Sequence, residues 1–308
     1  MESRRSSAKG QGLLLYHLYA LIVVTAWGLS FICTRVLLDN GLHPIEIYIY
    51  RFVLAYLSLL AICHKKIWAN SLKDELLFVM CGLVAGSVYF ISENVALEYT
   101  LVSNVSLITS LSPLLTVLLL GAVYKSNRPG SGAYIGSTVA FLGVGLVIFN
   151  SSFNLSINPL GDMLALLAAL CWAIYSLILK PLNAHYDAQF ITRKVFFYGV
   201  LTALPFLALE PELAPLDTLL RPTVIANLLF LSFMCSLGCY LLWAYAVLKL
   251  GAVTTSNYLY FQPVVTLVFS VIILHEAVTA VGLTGCILIL LGVWLADFLQ
   301  KRSWLHKG

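Results

Sequence analysis

The chain has 308 residues, of which 60% are hydrophobic and 10% are charged, and its mean hydropathy is +0.93. Charged residues make up about 25% of a typical soluble domain, so this composition excludes a soluble globular protein. Apolar residues run without alternation for about 20 positions at a time, which is the length of a membrane-spanning helix and argues against a transmembrane β-barrel. The composition therefore predicts a polytopic helical membrane protein.

Apolar stretches separated by turn signals predict ten transmembrane helices with short connections. The sequence Asp39-Asn40-Gly41 separates the first two stretches, and Asn158-Pro159 follows the fifth. No connection is long enough for a soluble domain. The predicted helices cover residues 13–37, 45–63, 76–97, 103–123, 132–149, 161–179, 190–209, 224–248, 254–274 and 280–299.

The basic residues are distributed asymmetrically, and this distribution predicts the orientation of the helices. With the N-terminus inside, 15 of the 18 Lys and Arg residues fall on the cytoplasmic side, while the acidic loop at Glu210, Glu212 and Asp217 falls outside. Both termini are therefore predicted to be cytoplasmic, with residues 1–12 and 300–308 as tails.

Two apolar stretches 150 positions apart share a pattern of polar side chains that leads to a central proline. The shift places Ser106 on Ser256 and Pro113 on Pro263. Proline removes a backbone hydrogen bond, and lipid offers no replacement partner. Interrupted apolar segments at matching positions in two halves are the best sequence indication of a transporter's binding site.

Further repetition supports an all-α protein of ten transmembrane helices arranged as two five-helix repeats. Leu142-Gly143-Val144 returns 149 positions later as Leu291-Gly292-Val293, and Trp27 returns 145 positions later as Trp172. Because five is an odd number, the second repeat is predicted to be inverted in the membrane, with a substrate site between the repeats. The predicted repeats are residues 13–149 and 161–299, joined by an extracytoplasmic connector at 150–160.

These features together resemble the EamA family of the drug/metabolite transporter superfamily. The matching features are Trp27-Gly28, Arg51-Phe52, the helices that contain Pro113 and Pro263, and the Leu-Gly-Val ends of both repeats. The resemblance implies a secondary transporter in the cytoplasmic (inner) membrane of a bacterium. It also implies export of small metabolites by alternating access, with amino acids or related amphipathic solutes as the leading class.

Polar residues around the two prolines are the first candidates for a substrate cavity. Their hydroxyls, and the carbonyls freed by proline, would hold a polar solute. The alternative is that they form interhelical hydrogen bonds while the prolines only curve the helices. The residues that share a helix face by three- and four-residue spacing are Ser106, Thr109, Ser110 and Pro113 in the first repeat, and Ser256, Tyr260 and Pro263 in the second.

Charged residues inside predicted spans are the second group of candidates, because a charge in lipid is costly. Glu93, next to Asn94, could bind an amine or couple transport to protons, or it could be an interfacial carboxylate that is wetted from outside. Arg51 could bind a substrate carboxylate, or it could pair with Glu46 or another acidic residue as a structural clamp.

The tryptophans at equivalent positions are the third group of candidates. Trp27 is followed by Ser30, and Trp172 is followed by Tyr175 and Ser176. They predict either an aromatic site for rings or organic cations, or ordinary core and interface aromatics. The predicted solute is zwitterionic or aromatic, because few basic residues are available for a polyanion.

Several chemistries lack a sequence signal. The seven cysteines have no metal-ligand spacing, and no nucleotide-binding or hydrolase motif is present, so neither a metal, a cofactor nor an enzymatic activity is predicted. The basic residues form no patch for nucleic acid. Membrane lipid and a small-molecule solute are the expected partners, and the chain is expected to be a monomer or a homodimer. The alternatives to an exporter are a lipid-precursor flippase and a non-transporting scaffold or sensor subunit.

Overall fold

A computed structural model gives the architecture of the protein and describes residues 2–64, 66–100, 102–124, 129–148, 158–208, 213–265, 268–269 and 280–305. The regular secondary structure in these residues is entirely helical. A one-turn helix covers Leu216–Leu219, and a 3-10 turn covers Tyr258–Phe261. The longer helices are α1 (Glu2–Asp39), α2 (Pro44–Ile62), α3 (Leu72–Tyr99), α4 (Val102–Thr109), α5 (Ser112–Val123), α6 (Ser131–Ile148), α7 (Pro159–Leu182), α8 (Ala188–Leu207), α9 (Pro222–Leu250), α10 (Ala252–Asn257) and α11 (Ala280–Leu305).

Six of these helices are long and apolar enough to cross a membrane, in agreement with the predicted class. Three shorter apolar stretches accompany them: α5 (Ser112–Val123), Ser131–Leu146 within α6, and Leu283–Ala296 within α11. Part of the predicted ninth helix lies outside the described residues, so the count of ten stays a prediction. Residues 2–12 and 300–305, predicted as tails, continue α1 and α11 as helix. The six spans are Leu13–Asp39, Pro44–Ile62, Leu72–Tyr99, Pro159–Leu182, Ala188–Leu207 and Pro222–Leu250.

Departures from regular α-helix occur at matching positions in the two parts of the chain. A π-helical segment interrupts α3 at Leu83–Val88 and another interrupts α9 at Phe230–Gly238, and a shift of 150 residues places the first within the second. In the same way, the break between α4 and α5 corresponds to the 3-10 turn that follows α10. Pro113 is the second residue of α5, where its missing N–H group costs no helical hydrogen bond.

A cluster of aromatic rings forms the centre of the main hydrophobic core, where α1, α7 and α9 meet. The ring of Trp27 lies 5.1 Å, centroid to centroid, from both Trp172 and Trp243, and 6.0 Å from Tyr240. The indole Nε1 of Trp27 donates a hydrogen bond of 2.8 Å to the carbonyl of Cys235, in the π-helical segment of α9. This bond fixes α1 against α9 and satisfies one of the backbone carbonyls of that segment.

The helices pair between the two parts of the chain in a reciprocal pattern. Helix α1 packs against α9, and α3, the counterpart of α9, packs against α7, the counterpart of α1. Helix α2 likewise packs against α8, and α6 against α11. The core is therefore shared between the first and second parts of the chain instead of being built separately in each.

Glycines allow α6 to approach α11 closely, and α3 to approach α8. A Cβ atom added to Gly292 of α11 would lie 2.3 Å from the backbone nitrogen of Ala140 in α6. A Cβ atom added to Gly136 would lie 2.5 Å from the carbonyl oxygen of Gly292. Between α3 and α8, the added Cβ of Gly82 would lie 2.4 Å from the Cβ of Tyr198. Backbone packs directly on backbone at these contacts.

We predict that Gly292→Ala destabilises the protein because α6 and α11 must separate to admit the methyl group. Overpacking of this kind costs about 1–3 kcal/mol, which a lowered thermal midpoint of the detergent-solubilised protein would report. Gly145→Ala in α6 is the matched control, since an added Cβ there meets nothing within 4 Å. It should leave the midpoint unchanged or raise it, because alanine favours helix over glycine. Equal midpoints for the two variants would contradict the close contact.

Candidate functional site

A cavity opens between the two parts of the chain and has about 420 Å³ of empty volume between its walls, including its mouth. Its walls come from α1, α2, α3, the α4–α5 break, α7 and the 3-10 turn after α10. Aromatic rings, hydroxyls, one carboxylate and one guanidinium are among the lining groups. The lining residues are Trp27, Ser30, Phe31, Arg51, Tyr89, Phe90, Glu93, Thr109, Ser112, Trp172, Leu259 and Gln262.

Glu93 supplies the carboxylate of the cavity from α3. The side chain is 7% exposed, and its Oε1 accepts a hydrogen bond of 2.7 Å from the hydroxyl of Tyr89, one turn earlier. Its neighbour Asn94 does not line the cavity. The Asn94 amide donates instead to the carbonyl of Pro44 at 2.9 Å and ties α3 to the start of α2. Of this predicted pair, only Glu93 can meet a solute in the cavity.

Arg51 supplies the guanidinium from α2 and is 3% exposed. Its Nε donates to the hydroxyl of Ser236, in the π-helical segment of α9, at 2.5 Å. The guanidinium carbon lies 4.6 Å from the ring centroid of Phe90, within reach of a cation–π interaction. The predicted clamp with Glu46 is absent, because that carboxylate accepts hydrogen bonds from the hydroxyl of Tyr50 and from the backbone, the Ala214 N–H included.

The predicted tryptophan pair is brought together at the cavity wall. The rings of Trp27 and Trp172 meet edge to face, at an interplanar angle of 86°, and the hydroxyl of Ser30 donates to the carbonyl of Trp27 at 2.8 Å. Tyr175 and Ser176 lie behind this wall and do not line the cavity. The Tyr175 ring packs 5.4 Å from that of Trp172, and the Ser176 hydroxyl donates to the Trp172 carbonyl at 3.0 Å.

Of the predicted residues around Pro113, some line the cavity and others lie at the helix break. Thr109 lines the cavity, whereas Ser106, Ser110 and Pro113 are buried beside it. The hydroxyl of Ser110 donates to the Ser106 carbonyl at 2.7 Å, and Ser112 donates to the Thr109 carbonyl at 2.6 Å. These hydroxyls donate to carbonyls one turn earlier in the same segment, so the hydrogen bonds seen here are local and not the interhelical ones of the alternative interpretation.

The predicted residues of the second repeat around Pro263 do not line the cavity. Ser256, Tyr260 and Pro263 are buried elsewhere, and the neighbouring residues Leu259 and Gln262 line the cavity in their place. A 3-10 helix has three residues per turn instead of 3.6, so the 3-10 turn rotates the following side chains onto another face. The turn accounts in this way for Tyr260 and Pro263, whereas Ser256 precedes it and is buried within α10. The structure does not bring these three predicted residues to the cavity.

Six lining residues were absent from the predicted set, and spacing could have indicated some of them. Phe31 lies one helical turn after Trp27, and Tyr89 lies one turn before Glu93. Gln262 is an uncharged polar side chain inside an apolar span, which is itself a signal. The six residues are Phe31, Tyr89, Phe90, Ser112, Leu259 and Gln262.

Within the described residues, no group of three or more His, Cys, Asp or Glu side chains is placed to hold a metal ion. The cysteines are free, and none forms a disulfide within that part of the chain. The lining side chains offer stacking on indole and phenyl rings, hydrogen bonding, and one charge of each sign.

Comparison with known proteins identifies the family. The model of the EamA-like transporter family matches residues 14–149 and 159–296, two segments close to the predicted repeats. An uncharacterized transporter of Archaeoglobus fulgidus is 28% identical over 290 residues, which are 93% of this chain and 98% of that protein. A protein of Escherichia coli strain K12, named a probable amino-acid metabolite efflux pump, is 24% identical over 94% of this chain and 97% of its own length.

The fold is also found in a solved crystal structure. That structure superposes with a TM-score of 0.73 at 17% identity, covering 95% of this chain and 99% of its own. At this identity the likeness concerns the fold alone. The family match over nearly the whole length, together with the membrane-length helices, shows that this chain belongs to the EamA-like transporter family of the drug/metabolite transporter superfamily.

Proposed function

We propose that the protein exports small amphipathic solutes, with amino acids or their relatives as the leading class, through the cavity between the two parts of the chain. The observation that carries the proposal is the composition of that cavity. Trp27 and Arg51 come from the first part and Trp172 from the second, so a bound solute touches both. Movement of one part against the other can then expose the solute to either side of the membrane.

The lining groups favour a solute with a ring or alkyl side chain and balanced charge. Glu93 attracts an ammonium group, Arg51 attracts a carboxylate, and the indoles of Trp27 and Trp172 accept an apolar group. One guanidinium beside one carboxylate gives weak attraction for a polyanion such as a nucleotide sugar. The name of the Escherichia coli relative, a probable amino-acid metabolite efflux pump, agrees with this class.

We further propose that the two repeats are inverted, that the helices number ten, and that both termini are cytoplasmic in a bacterial inner membrane. The distribution of Lys and Arg supports the orientation. The reciprocal pairing of α1 with α9 and of α3 with α7 supports a pseudo-two-fold axis. The matching π-helical segments, Leu83–Val88 and Phe230–Gly238, support the same relation.

Contacts far from the cavity support a closed cytoplasmic end. Lys194 of α8 forms an ion pair with Glu75 at the start of α3, and the Tyr198 hydroxyl donates to the same carboxylate. Arg193 donates to the backbone carbonyls of Cys63 and Lys66. We call Glu75, Arg193, Lys194 and Tyr198 the cytoplasmic latch.

The latch and the cavity lie toward opposite ends of α3. Eighteen residues separate Glu75 from Glu93, which is about 27 Å of helix. When the latch is closed, the cavity would open to the outer face, as in the step that releases an exported solute. Opening of the latch would then admit solute from the cytoplasm.

A solute screen tests the proposed function directly. The full chain is reconstituted into liposomes that are loaded with a labelled mixture of amino acids, and the solutes that leave are identified by mass spectrometry. We expect a subset of the amino acids to leave faster than from protein-free liposomes. If every amino acid leaves at the protein-free rate, the proposed substrate class is wrong.

Glu93 provides a prediction about the driving force and the amino group. Glu93→Gln keeps the shape of the side chain but removes its charge and its ability to release a proton. We expect pH-driven uptake into inverted vesicles to fall about tenfold or more, the effect of losing a hydrogen bond to a charged group.

The matched control is Glu98→Gln, since Glu98 lies on the same helix and is exposed. This variant should transport at the rate of the unaltered protein. Unchanged flux in the Glu93→Gln protein would contradict a role for that carboxylate in binding or coupling.

A further inference from the structure

Two hydrogen-bond donors on side chains at the cavity wall have no partner among the described residues. Arg51 uses its Nε to bind Ser236, but its Nη2 is buried and forms no hydrogen bond with the described residues. The Nε1 of Trp172 is likewise buried without a partner in the described part of the chain. Both side chains line the cavity. A buried polar group without a partner costs about 1–3 kcal/mol, and more when it is charged.

The contrast between the two stacked tryptophans is informative. The Nε1 of Trp27 is satisfied by the carbonyl of Cys235, so that indole is held by the fold. Trp172 packs against Trp27 at 5.1 Å and has the same chemistry, yet its N–H has no acceptor in the described residues. The Nε1 of Trp243, whose ring lies 5.8 Å from that of Trp172, is also without a partner in the described residues, so Trp172 is distinguished by its place in the lining of the cavity.

No acidic side chain in the described residues forms an ion pair with the Arg51 guanidinium. Its contacts there are the neutral hydroxyl of Ser236 and the faces of the Phe90 and Phe52 rings, at 4.6 and 5.3 Å. In the described part of the chain no ion pair joins Arg51 to Glu93, the carboxylate in the same cavity. A guanidinium held in this way keeps its capacity to bind an anion.

Glu93 lies across an aromatic pair from Arg51. The Arg51 guanidinium covers Phe90, the Phe90 ring lies 4.7 Å from that of Tyr89, and the Tyr89 hydroxyl donates to Glu93. Phe90 and Tyr89 thus link the two opposite charges through successive contacts, and no ion pair joins Arg51 to Glu93 directly in the described residues. A solute with a carboxylate at one end and an ammonium at the other matches this arrangement, whereas a dianion would meet the Glu93 charge.

We propose that Arg51 binds the carboxylate of the exported solute, with Trp172 Nε1 as a second donor, so that the site selects amino acids over the corresponding amines. This inference rests on the proposed export function and assigns the recognition of one end of the solute. A carboxylate has two oxygen atoms and can accept from two donors, and charge-assisted hydrogen bonds are about twice as strong as neutral ones.

The test uses three probes that differ only in their charged groups: L-phenylalanine, phenethylamine and 3-phenylpropionate. Binding to the purified full chain is measured from ligand-dependent thermal stabilisation, and transport from efflux out of liposomes. For the unaltered protein we expect phenylalanine to bind about tenfold or more tightly than phenethylamine. Arg51→Gln should weaken phenylalanine binding by about 10-fold to 100-fold and change phenethylamine binding by less than about threefold.

Two further variants separate recognition from folding. Trp172→Phe keeps an aromatic ring but removes the N–H donor, so it should reduce the preference for phenylalanine over phenethylamine about threefold or more. Trp243→Phe is the matched control, because it removes a buried N–H donor without a partner in the described residues from the same aromatic cluster, at a residue that does not line the cavity, and should retain that preference. If Arg51→Gln does not fold, the comparison of Trp172→Phe with Trp243→Phe decides.

The outcomes distinguish this inference from the proposed function. If the unaltered protein exports phenylalanine and phenethylamine equally well, export stands and carboxylate recognition is wrong. Equal losses for both probes in Trp172→Phe or in a folded Arg51→Gln protein would also overturn the inference. If none of the three probes binds or moves, both the inference and the proposed solute class fail.

Discussion

The architecture depends on one constraint, which is that lipid cannot hydrogen-bond to the polar groups that broken helices and buried charges expose. At the α4–α5 break, Ser110 and Ser112 donate to carbonyls on the preceding turn. In the π-helical segment of α9, Trp27 satisfies the Cys235 carbonyl and Ser236 binds Arg51. The side chains that repair the backbone are thus neighbours of those that line the cavity, and the irregular segments both require and create a polar interior.

The helices pack closely around the cavity, and Arg51 and Glu93 face a solute there. Glycine contacts seal α6 against α11 and α3 against α8, and an aromatic cluster fills the space between α1, α7 and α9. A buried charge in a membrane is costly, so its retention inside a cavity favours a functional role over a structural one. In the proposed cycle the cytoplasmic latch closes the cytoplasmic end of the route to this cavity. The desolvation penalty of a buried ion pair offsets much of its Coulomb attraction, so the latch can open again.

The sequence was informative wherever hydropathy or repetition determined the answer, and less so where side-chain direction did. Trp27, Trp172, Glu93, Arg51, Ser30 and Thr109 were predicted candidates and line the cavity. Tyr260 and Pro263 do not line the cavity because the 3-10 turn at 258–261 changes the number of residues per turn. No residue type in that turn indicates the change. Asn94 does not line the cavity because its amide donates to the backbone carbonyl of Pro44. That carbonyl belongs to another helix, so the contact cannot be predicted from the spacing of residues around Asn94.

The central claim is that the cavity between the two parts of the chain is the route of transport, and Ser30 in its wall allows a direct measurement. A membrane-impermeant sulfonated thiosulfonate is applied from the outer side to the Ser30→Cys protein in vesicles, with the unaltered chain and Thr138→Cys, exposed on α6, as controls. We expect the reagent to block efflux only in the Ser30→Cys protein, reduction to restore it, and exported solute to slow the modification. Complete modification of that cysteine with full efflux would contradict the account.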